Sequence, residues 1–165
     1  LRHPLCVSPV KDFTEGRFEE ILDDQQGYEK AERLLFCSGA VYYELLKERD
    51  KQKRKDIAII RVEQLYPLHK ERIKEIIGNY KWAEEFFWVQ EEACNMGAWD
   101  FIHPQLEEIL PKGKSLEYVG RQRSASPAVG SYALHSREVT KILADAFHRK
   151  GKPFHEIAVN QGVRG

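Results

Sequence analysis

The chain has 165 residues, of which 42% are hydrophobic, so it is long enough for one proper core and cramped for two domains. It carries 26 basic and 26 acidic residues, and this balance excludes a protein that binds nucleic acid or a charged membrane surface through its overall charge. Three widely spaced cysteines, Cys6, Cys37 and Cys94, have no CxxC or Cys/His spacing, which predicts neither disulfides nor a zinc site and favours a reducing compartment.

Residues 1–30 mix proline, glycine and acidic residues, which predicts a lead-in or linker with a short turn over Arg17–Leu22. The chain also begins without methionine, so we expect a piece of a larger protein. No apolar run reaches the roughly 20 residues that span a bilayer, and the first residues lack the apolar centre of a signal peptide.

From residue 31 to 147, apolar runs alternate with segments of helical periodicity. The pattern predicts four strand and helix pairs, in the order Arg33–Cys37 and Ala40–Lys53, Ile57–Val62 and His69–Ile77, Phe86–Val89 and Ala98–Leu110, Leu116–Val119 and Ser136–Phe147. Such alternation predicts an α/β fold with a parallel sheet covered on both faces. The polar stretch His148–Gly165 is predicted to be a loosely held tail.

Polar side chains follow each predicted strand, and in open parallel sheets ligands meet the carboxyl ends of the strands. After the first strand, Gly39 precedes a helix but belongs to neither GxGxxG nor a GK[ST] motif, which disfavours a dinucleotide or triphosphate site. Free amides at a helix start can still bind an anion, and Ser38 would then act as helix cap and ligand.

The third strand is followed by Gln-Glu-Glu-Ala-Cys-Asn-Met-Gly. Catalysis at Cys94 is disfavoured because Glu91 and Glu92 would raise the pKa of its thiol. The two glutamates point opposite ways along an extended chain, so we expect helix capping or pairing across an interface instead of an acid/base pair. Asn95 and Gly97 are predicted to make the tight passage into the next helix. The six histidines show no metal-binding spacing.

Basic residues suggest three anion contacts of different strength. The run Lys47–Lys55 at the end of the first helix is interpreted mainly as a solvated face that suits the helix dipole. Arg61 lies in an apolar strand and needs a fixed anionic partner, either Glu63 or a ligand phosphate. The loop Gly120–Tyr132 is rich in small polar residues and could hold an anion or a partner carboxylate through Arg121, Arg123 and Ser124.

Several segments, in this order and spacing, carry a family resemblance: LRHPL, RLLFCSGAVYYELLKER, IAIIRVEQLYPL, FFWVQEEACNMGAWDFI and YVGRQRSASPAVGS. Together they resemble the C-terminal part of the decarboxylating subunit of thiamine-dependent 2-oxoglutarate dehydrogenase, over about residues 1–147. The resemblance implies a three-layer sandwich like the transketolase C-terminal domain, with a mostly parallel sheet and an antiparallel edge strand.

For function, the resemblance implies an oxidoreductase of the tricarboxylic acid cycle, bacterial and cytoplasmic or in the mitochondrial matrix. Thiamine diphosphate, magnesium and the catalytic histidines of this family lie in the preceding domains, and no GDG diphosphate motif occurs here. The fragment alone is therefore expected to be inactive and to bind none of these cofactors. Expected partners are the preceding domains, a second copy in a homodimer and a lipoyl-bearing succinyltransferase.

The resemblance further implies an allosteric site for acetyl-CoA or a nucleotide such as AMP. Its contacts carry over to six positions: Ser38, Lys53, Arg54, Arg61, Gln64 and Gln90. The alternative is a stand-alone module that binds an anionic nucleotide or coenzyme A through Ser38, Arg61 and the Gly120–Tyr132 loop. A transketolase or pyruvate dehydrogenase subunit is disfavoured by LRHPL and RVEQLYPL.

An aromatic patch around Trp88, Met96 and Trp99 is predicted either to lie at a subunit contact or to fill the core beneath the third helix. Gln90, Glu91 and Glu92 are expected to contact an effector or a neighbouring subunit.

Overall fold

The protein was analysed as a computed structural model that describes residues 7–8, 10–28, 30–126 and 130–148. In these ranges, five strands and five helices follow one another along the chain. They are α1 (Val10–Thr14), β1 (Ile21–Leu22), β2 (Arg33–Cys37), α2 (Val41–Gln52), β3 (Ile57–Val62), α3 (Lys70–Asn79), β4 (Glu85–Ala93), α4 (Trp99–Glu107), β5 (Leu116–Arg121) and α5 (Tyr132–Phe147).

The strands form one sheet in the order β1-β3-β2-β4-β5. β1 pairs antiparallel with β3, and all other neighbours are parallel. In the middle of the sheet Leu35 lies opposite Ile59 on one side and Phe87 on the other. The mostly parallel sheet with an antiparallel edge strand is therefore confirmed.

Alternation along the strands sorts side chains onto two faces, each covered by helices. Leu34, Phe36 and Trp88 face the layer formed by α3 and α4. Leu35 and Val89 face the layer formed by α2 and α5. The sheet thus has an apolar core on both sides, which makes the fold a three-layer α/β sandwich.

β4 and α5 extend furthest beyond their predicted bounds. β4 continues beyond Val89 to Ala93, since the end of β5 pairs with it there after a shift in register, with Ala93 opposite Arg121. α5 begins at Tyr132, and Ser131 caps it by accepting a hydrogen bond from the backbone N–H of Leu134 at 3.2 Å. Gln90, Glu91 and Glu92 therefore lie within a strand and not after its end.

Part of the predicted lead-in packs into the domain. Ile21 in β1 is buried against the α3 and α4 face, and the Asp24 side chain is buried beside α2. The predicted tail, apart from His148, lies outside the described residues. Among the described residues, no helix has both the length and the apolar character needed to cross a membrane.

The basic run at the end of α2 is not the uniform solvated face that was predicted. The Arg49 side chain is 1% exposed and forms a buried ion pair with Asp24. The Asp24 carboxylate also accepts a hydrogen bond from the backbone N–H of Ile59 at 2.7 Å. Arg49 is fixed because its charge has this buried partner, which lies 25 residues away in sequence.

Candidate functional site

The carboxyl ends of β2 and β4 mark the place where ligands bind in sheets of this type. The helix after β2 packs on one face of the sheet and the helix after β4 packs on the other. β2 and β4 are neighbours, so their following connections diverge and leave a topological switch point. Ser38 follows β2 directly, and Gln90 lies in β4 just past its last pairing with β2.

Ser38 is half-buried but does not cap the helix that follows it. α2 begins after Ala40, which has helical backbone angles, and no side chain makes a capping hydrogen bond. The predicted double role of Ser38 is therefore wrong in its capping part, because the helix starts two residues later than a Ser38 cap requires. Its place at the switch point remains.

Arg61 has the fixed partner that its position in an apolar strand required. Its Nε lies 2.6 Å from Oε1 of Glu63, and its guanidinium stacks 4.6 Å from the centre of the Tyr42 ring. Opposite it on β2 is Cys37, whose burial raises the pKa of the thiol, while Arg61 partly counteracts that rise. Of the two predicted partners, Glu63 and a ligand phosphate, the structure shows Glu63, which directly follows the end of β3.

Gln90 is 3% exposed, and its amide is engaged entirely inside the chain. Its Oε1 accepts from Nε1 of Trp88 at 2.9 Å and from the backbone N–H of Trp99 at 3.1 Å. Its Nε2 donates to the carbonyls of Ala93 at 3.1 Å and Met96 at 2.8 Å. These bonds join β4 to the start of α4 and use the donors and acceptors that an effector would need, so Gln90 is a structural residue.

The passage into α4 is as tight as the sequence predicted. Gly97 has a φ of +67°, and an added Cβ would lie 3.0 Å from Nε2 of Gln90. Asn95 exchanges two hydrogen bonds with the backbone of Ser124, at 2.9 and 3.0 Å. Ser124 therefore fixes the turn after β4 to the loop after β5.

The loop after β5 divides its two arginines between different roles. Nε of Arg121 lies 2.9 Å from Oε2 of Glu138 on α5. Arg123 is exposed and lines a small hollow of about 270 Å³ together with Ser124 and Lys141. Residues 127–129 of the predicted loop lie outside the described residues. The hollow could therefore bind an anion through Arg123 and Lys141, whereas Arg121 is already paired with Glu138.

Lys53 and Arg54 lie at the amino ends of the parallel strands, opposite the carboxyl ends where Ser38 lies. α2 runs back along β2, so its end reaches the amino ends of the strands. Arg54 donates from Nε and Nη2 to Asp56, both at 2.7 Å, and from Nη1 to the Phe147 carbonyl at 2.8 Å. The fold thus separates these two residues from Ser38, Arg61 and Gln64, and they do not belong to one site with them.

A second hollow, of about 450 Å³, lies between α2 and α5 and contains Glu91. Burial raises the pKa of this carboxyl, the charge of His135 opposes the rise, and Glu92 and Glu44 add to it. Glu92 by contrast is exposed, which agrees with the expectation that the two point apart.

Cys94 and the described histidines are the remaining residues that the sequence raised for catalysis or metal binding. Cys94 is half-buried, and its backbone N–H donates to the carbonyl of Arg121 at 3.1 Å. Within the described ranges, no group of three or more histidine, cysteine, aspartate or glutamate side chains is placed to hold a metal ion.

The aromatic residues around the β4–α4 turn separate into core and surface. Trp88 is 1% exposed and belongs to the core, so of its two predicted places the core is the correct one and the subunit contact is not. Met96 and Trp99 are half-buried, and the Trp99 ring lies 5.1 Å from the Tyr118 ring. The predicted patch is thus reduced to two partly exposed residues.

A more exposed aromatic pair, which the sequence reading missed, lies nearby. Tyr66 in the β3–α3 loop is 80% exposed and Phe101 in α4 is 43% exposed, with their ring centres 6.2 Å apart. The sequence could have indicated that Phe101 is exposed, because it directly precedes Ile102, which points into the core, and neighbouring residues of a helix point in different directions. We call these two residues the carboxyl-edge aromatic pair.

Comparison with known proteins matches this chain to one family over most of its length. The family model described as 2-oxoglutarate dehydrogenase C-terminal matches residues 7–147. An oxoglutarate dehydrogenase from Buchnera aphidicola is 40% identical over 90% of this chain and 16% of its own length. A 2-oxoglutarate dehydrogenase E1 component from Haemophilus influenzae is 40% identical over 88% of this chain and 16% of its own length.

A third relative, from Dictyostelium discoideum, is named as a 2-oxoadipate dehydrogenase complex component E1 homologue. It is 40% identical over 90% of this chain and 17% of its own length. The chain therefore spans about 16% of the length of the first relatives it matches.

Proposed function

This chain belongs to the family of 2-oxoglutarate dehydrogenase C-terminal domains, and from that premise we propose that its parent enzyme oxidatively decarboxylates 2-oxoglutarate. The parent would use thiamine diphosphate and magnesium and pass the succinyl group to a lipoyl-bearing partner. The observation that supports this is the family match over residues 7–147, together with relatives that are E1 components about six times as long. We propose that both cofactors bind in the domains that precede this chain in the parent.

A parent that acts on 2-oxoadipate is the second candidate, because the relative from Dictyostelium discoideum is named for that substrate at the same level of identity. Release of CO2 by the full-length parent, measured with 2-oxoglutarate and with 2-oxoadipate, distinguishes the two. We expect the kcat/KM for 2-oxoglutarate to be the higher one. A higher value for 2-oxoadipate would favour the second candidate.

We further propose that this domain contributes to the homodimer of the parent through the carboxyl-edge aromatic pair. Tyr66 and Phe101 contact each other at the surface, and the half-buried rings of Trp99 and Tyr118 lie behind the same edge. Exposed tyrosine and phenylalanine rings in contact are typical of the centre of a protein interface, where they bury large apolar areas. The pair is thus the part of this edge best suited to a second subunit.

Replacing both residues of the pair by serine should raise the dimer dissociation constant of the full-length parent at least about tenfold. Loss of each ring would remove apolar contact from the interface while leaving the core of this domain intact. Sedimentation velocity over a range of concentrations measures the constant. Trp82→Ser is the matched control, because Trp82 is 62% exposed but lies at the opposite edge. A dimer equally weakened by the control, or unaffected by the double substitution, would contradict the contact.

For regulation, we propose that an anionic effector, acetyl-CoA or AMP, binds beside Arg61. Ser38, Arg61 and Gln64 lie at the ends of two neighbouring strands, next to the switch point. A phosphate group matches the fork of the guanidinium and would replace Glu63 as its partner. Arg123 and Ser124, with the paired Arg121, form a separate anion contact at the end of β5.

Substitutions at the Arg61–Glu63 pair should change effector affinity in opposite directions. We expect Arg61→Gln to weaken binding at least about tenfold, and Glu63→Gln to strengthen it several-fold because the competing carboxylate is gone. Isothermal titration of the chain with acetyl-CoA and with AMP measures both. Arg72→Gln is the control, since Arg72 also pairs with a glutamate, Glu75 at 2.8 Å, but on the surface of α3. No heat from the unmodified chain up to millimolar ligand would rule the site out.

A further inference from the structure

The amino edge of the sheet, opposite the effector contacts, carries a row of exposed lysines. Each loop that leads into a parallel strand supplies at least one of them. They are Lys30 before β2, Lys53 and Lys55 before β3, Lys81 before β4 and Lys112 before β5. We call this set the amino-edge lysine row, and none of its members forms an ion pair with another described residue.

Most carboxylates of the same edge are already neutralised. Asp56 accepts two hydrogen bonds from Arg54, and Glu85 pairs with the buried Arg33. Glu84 pairs with Lys114, and the Asp24 carboxylate pairs with Arg49. Among the described carboxylates of this edge, Asp23, Glu32 and Asp50 form no ion pair with a described residue. The described residues of this edge thus include five lysines and three carboxylates without an ion pair, an excess of positive charge in a chain with no net charge.

A hollow of about 550 Å³ opens in the middle of this row. Lys30 and Lys81 line it, together with Asn79 and the indole of Trp82, which is 62% exposed. Asp23, at its base, accepts hydrogen bonds from the Tyr80 hydroxyl and the backbone N–H of Asp24, both at 2.7 Å. Both donors are neutral, so the Asp23 carboxylate keeps its charge, and the hollow offers an apolar ring between two lysines that form no ion pair with a described residue.

The geometry of the row indicates the shape of its ligand. The lysines follow the strand order β3-β2-β4-β5, and three spacings between strands amount to about 14 Å. An extended polypeptide covers that distance with about four residues. The three buried or half-buried arginines of this edge, Arg33, Arg49 and Arg54, are committed within the chain, so the row presents compact ammonium groups and no guanidinium forks.

We propose that the amino-edge lysine row binds an extended acidic segment of a partner protein, with one apolar side chain of that segment resting on Trp82 in the hollow. Charge complementarity would speed the association and fix the alignment of the segment, and the indole would provide buried apolar contact. Glu32 and Asp50 interrupt the lysines, so the row is not the continuous basic surface that nucleic acid or an anionic membrane binds, and this favours a short protein segment. The proposal is independent of the dimer and effector proposals, because it concerns the opposite edge of the sheet.

The test uses the chain itself and a synthetic peptide of four glutamates around one phenylalanine, EEFEE. We expect a dissociation constant below about 1 mM at low salt, measured by tryptophan fluorescence and by titration calorimetry, and weaker binding at physiological ionic strength. Charge reversal of Lys30, Lys53, Lys81 and Lys112 to glutamate should weaken binding at least about tenfold. Trp82→Ala should weaken it about threefold or more.

The matched control reverses three exposed lysines and one exposed arginine elsewhere, Lys11, Lys47, Lys74 and Arg137, and therefore changes the net charge by the same amount. It should alter peptide affinity less than about twofold. An equal loss in both fourfold variants would show non-specific attraction and overturn the proposal, as would the absence of peptide binding at millimolar concentration. Tighter, row-dependent binding to phosphatidylserine vesicles or to a DNA duplex than to the peptide would overturn the assignment to an acidic protein segment.

Discussion

Replacing Asp24 by asparagine should lower the free energy of unfolding by about 3–5 kcal/mol, the cost of removing one partner from a buried ion pair. The side chains of Asp24 and Arg49 are each 1% exposed, so the guanidinium would stay buried without a counter-charge. The change would also weaken the hydrogen bond that holds the backbone N–H of Ile59 in β3. Urea denaturation followed by circular dichroism measures the loss.

The control for this prediction is Asp50→Asn on α2, the helix that carries Arg49. The Asp50 side chain is exposed, so the free energy of unfolding should change by no more than about 0.5 kcal/mol. Adding Arg49→Met to Asp24→Asn should restore part of the lost stability, because the uncompensated charge disappears with it. Loss of less than about 1 kcal/mol in Asp24→Asn would mean that Arg49 reaches water and that the pair is not buried. The ion pair would then not hold the predicted lead-in to the domain.

Gln90→Leu should cost about 2–4 kcal/mol, because it removes the hydrogen-bond partners of several buried groups at once. The indole N–H of Trp88 and the carbonyl of Ala93 would lose their partners within the core side of β4. The Met96 carbonyl and the N–H of Trp99 would lose theirs at the entry to α4. The start of α4 should therefore be held less firmly to β4. Faster amide hydrogen exchange in the β4–α4 turn would show this change.

Gln64→Leu provides the comparison, because Gln64 lies just after the end of β3 and its side chain makes one exposed hydrogen bond, to the Pro67 carbonyl at 2.9 Å. We expect it to cost less than about 1 kcal/mol. If the two leucine variants were equally stable, Gln90 would be free of its internal bonds. It would then return to the set of proposed effector contacts.

The parallel sheet could be predicted because its signal is local. The run IAIIRV is nearly continuous in apolar residues, as expected of a strand buried on both faces, and it forms β3 with the predicted bounds. The partner of Arg61 was also predictable, since Glu63 lies two residues on and on the same face of the strand. In both cases everything needed lies within a few residues.

What could not be predicted depends on contacts between distant parts of the chain. Gln90 resembles a loop residue in sequence, and its burial results from bonds made when α4 packs beside β4. Arg49 stands in a run of charged residues, and its partner Asp24 lies in a segment without periodicity. β1 has two residues, too few for a pattern of alternation. Lys53 and Arg54 are separated from Ser38 because α2 runs back along the sheet. The six contact positions inferred from the family resemblance gave no information on the direction of this helix.

We propose that the chemistry of the parent enzyme lies in the domains that precede this chain. Decarboxylation of 2-oxoglutarate, assayed with thiamine diphosphate and magnesium for the full-length parent and for the isolated chain, tests it most directly. We predict turnover by the parent and none by the 165 residues alone. Turnover by the isolated chain, or a full-length parent that does not act on 2-oxoglutarate, would contradict the claim.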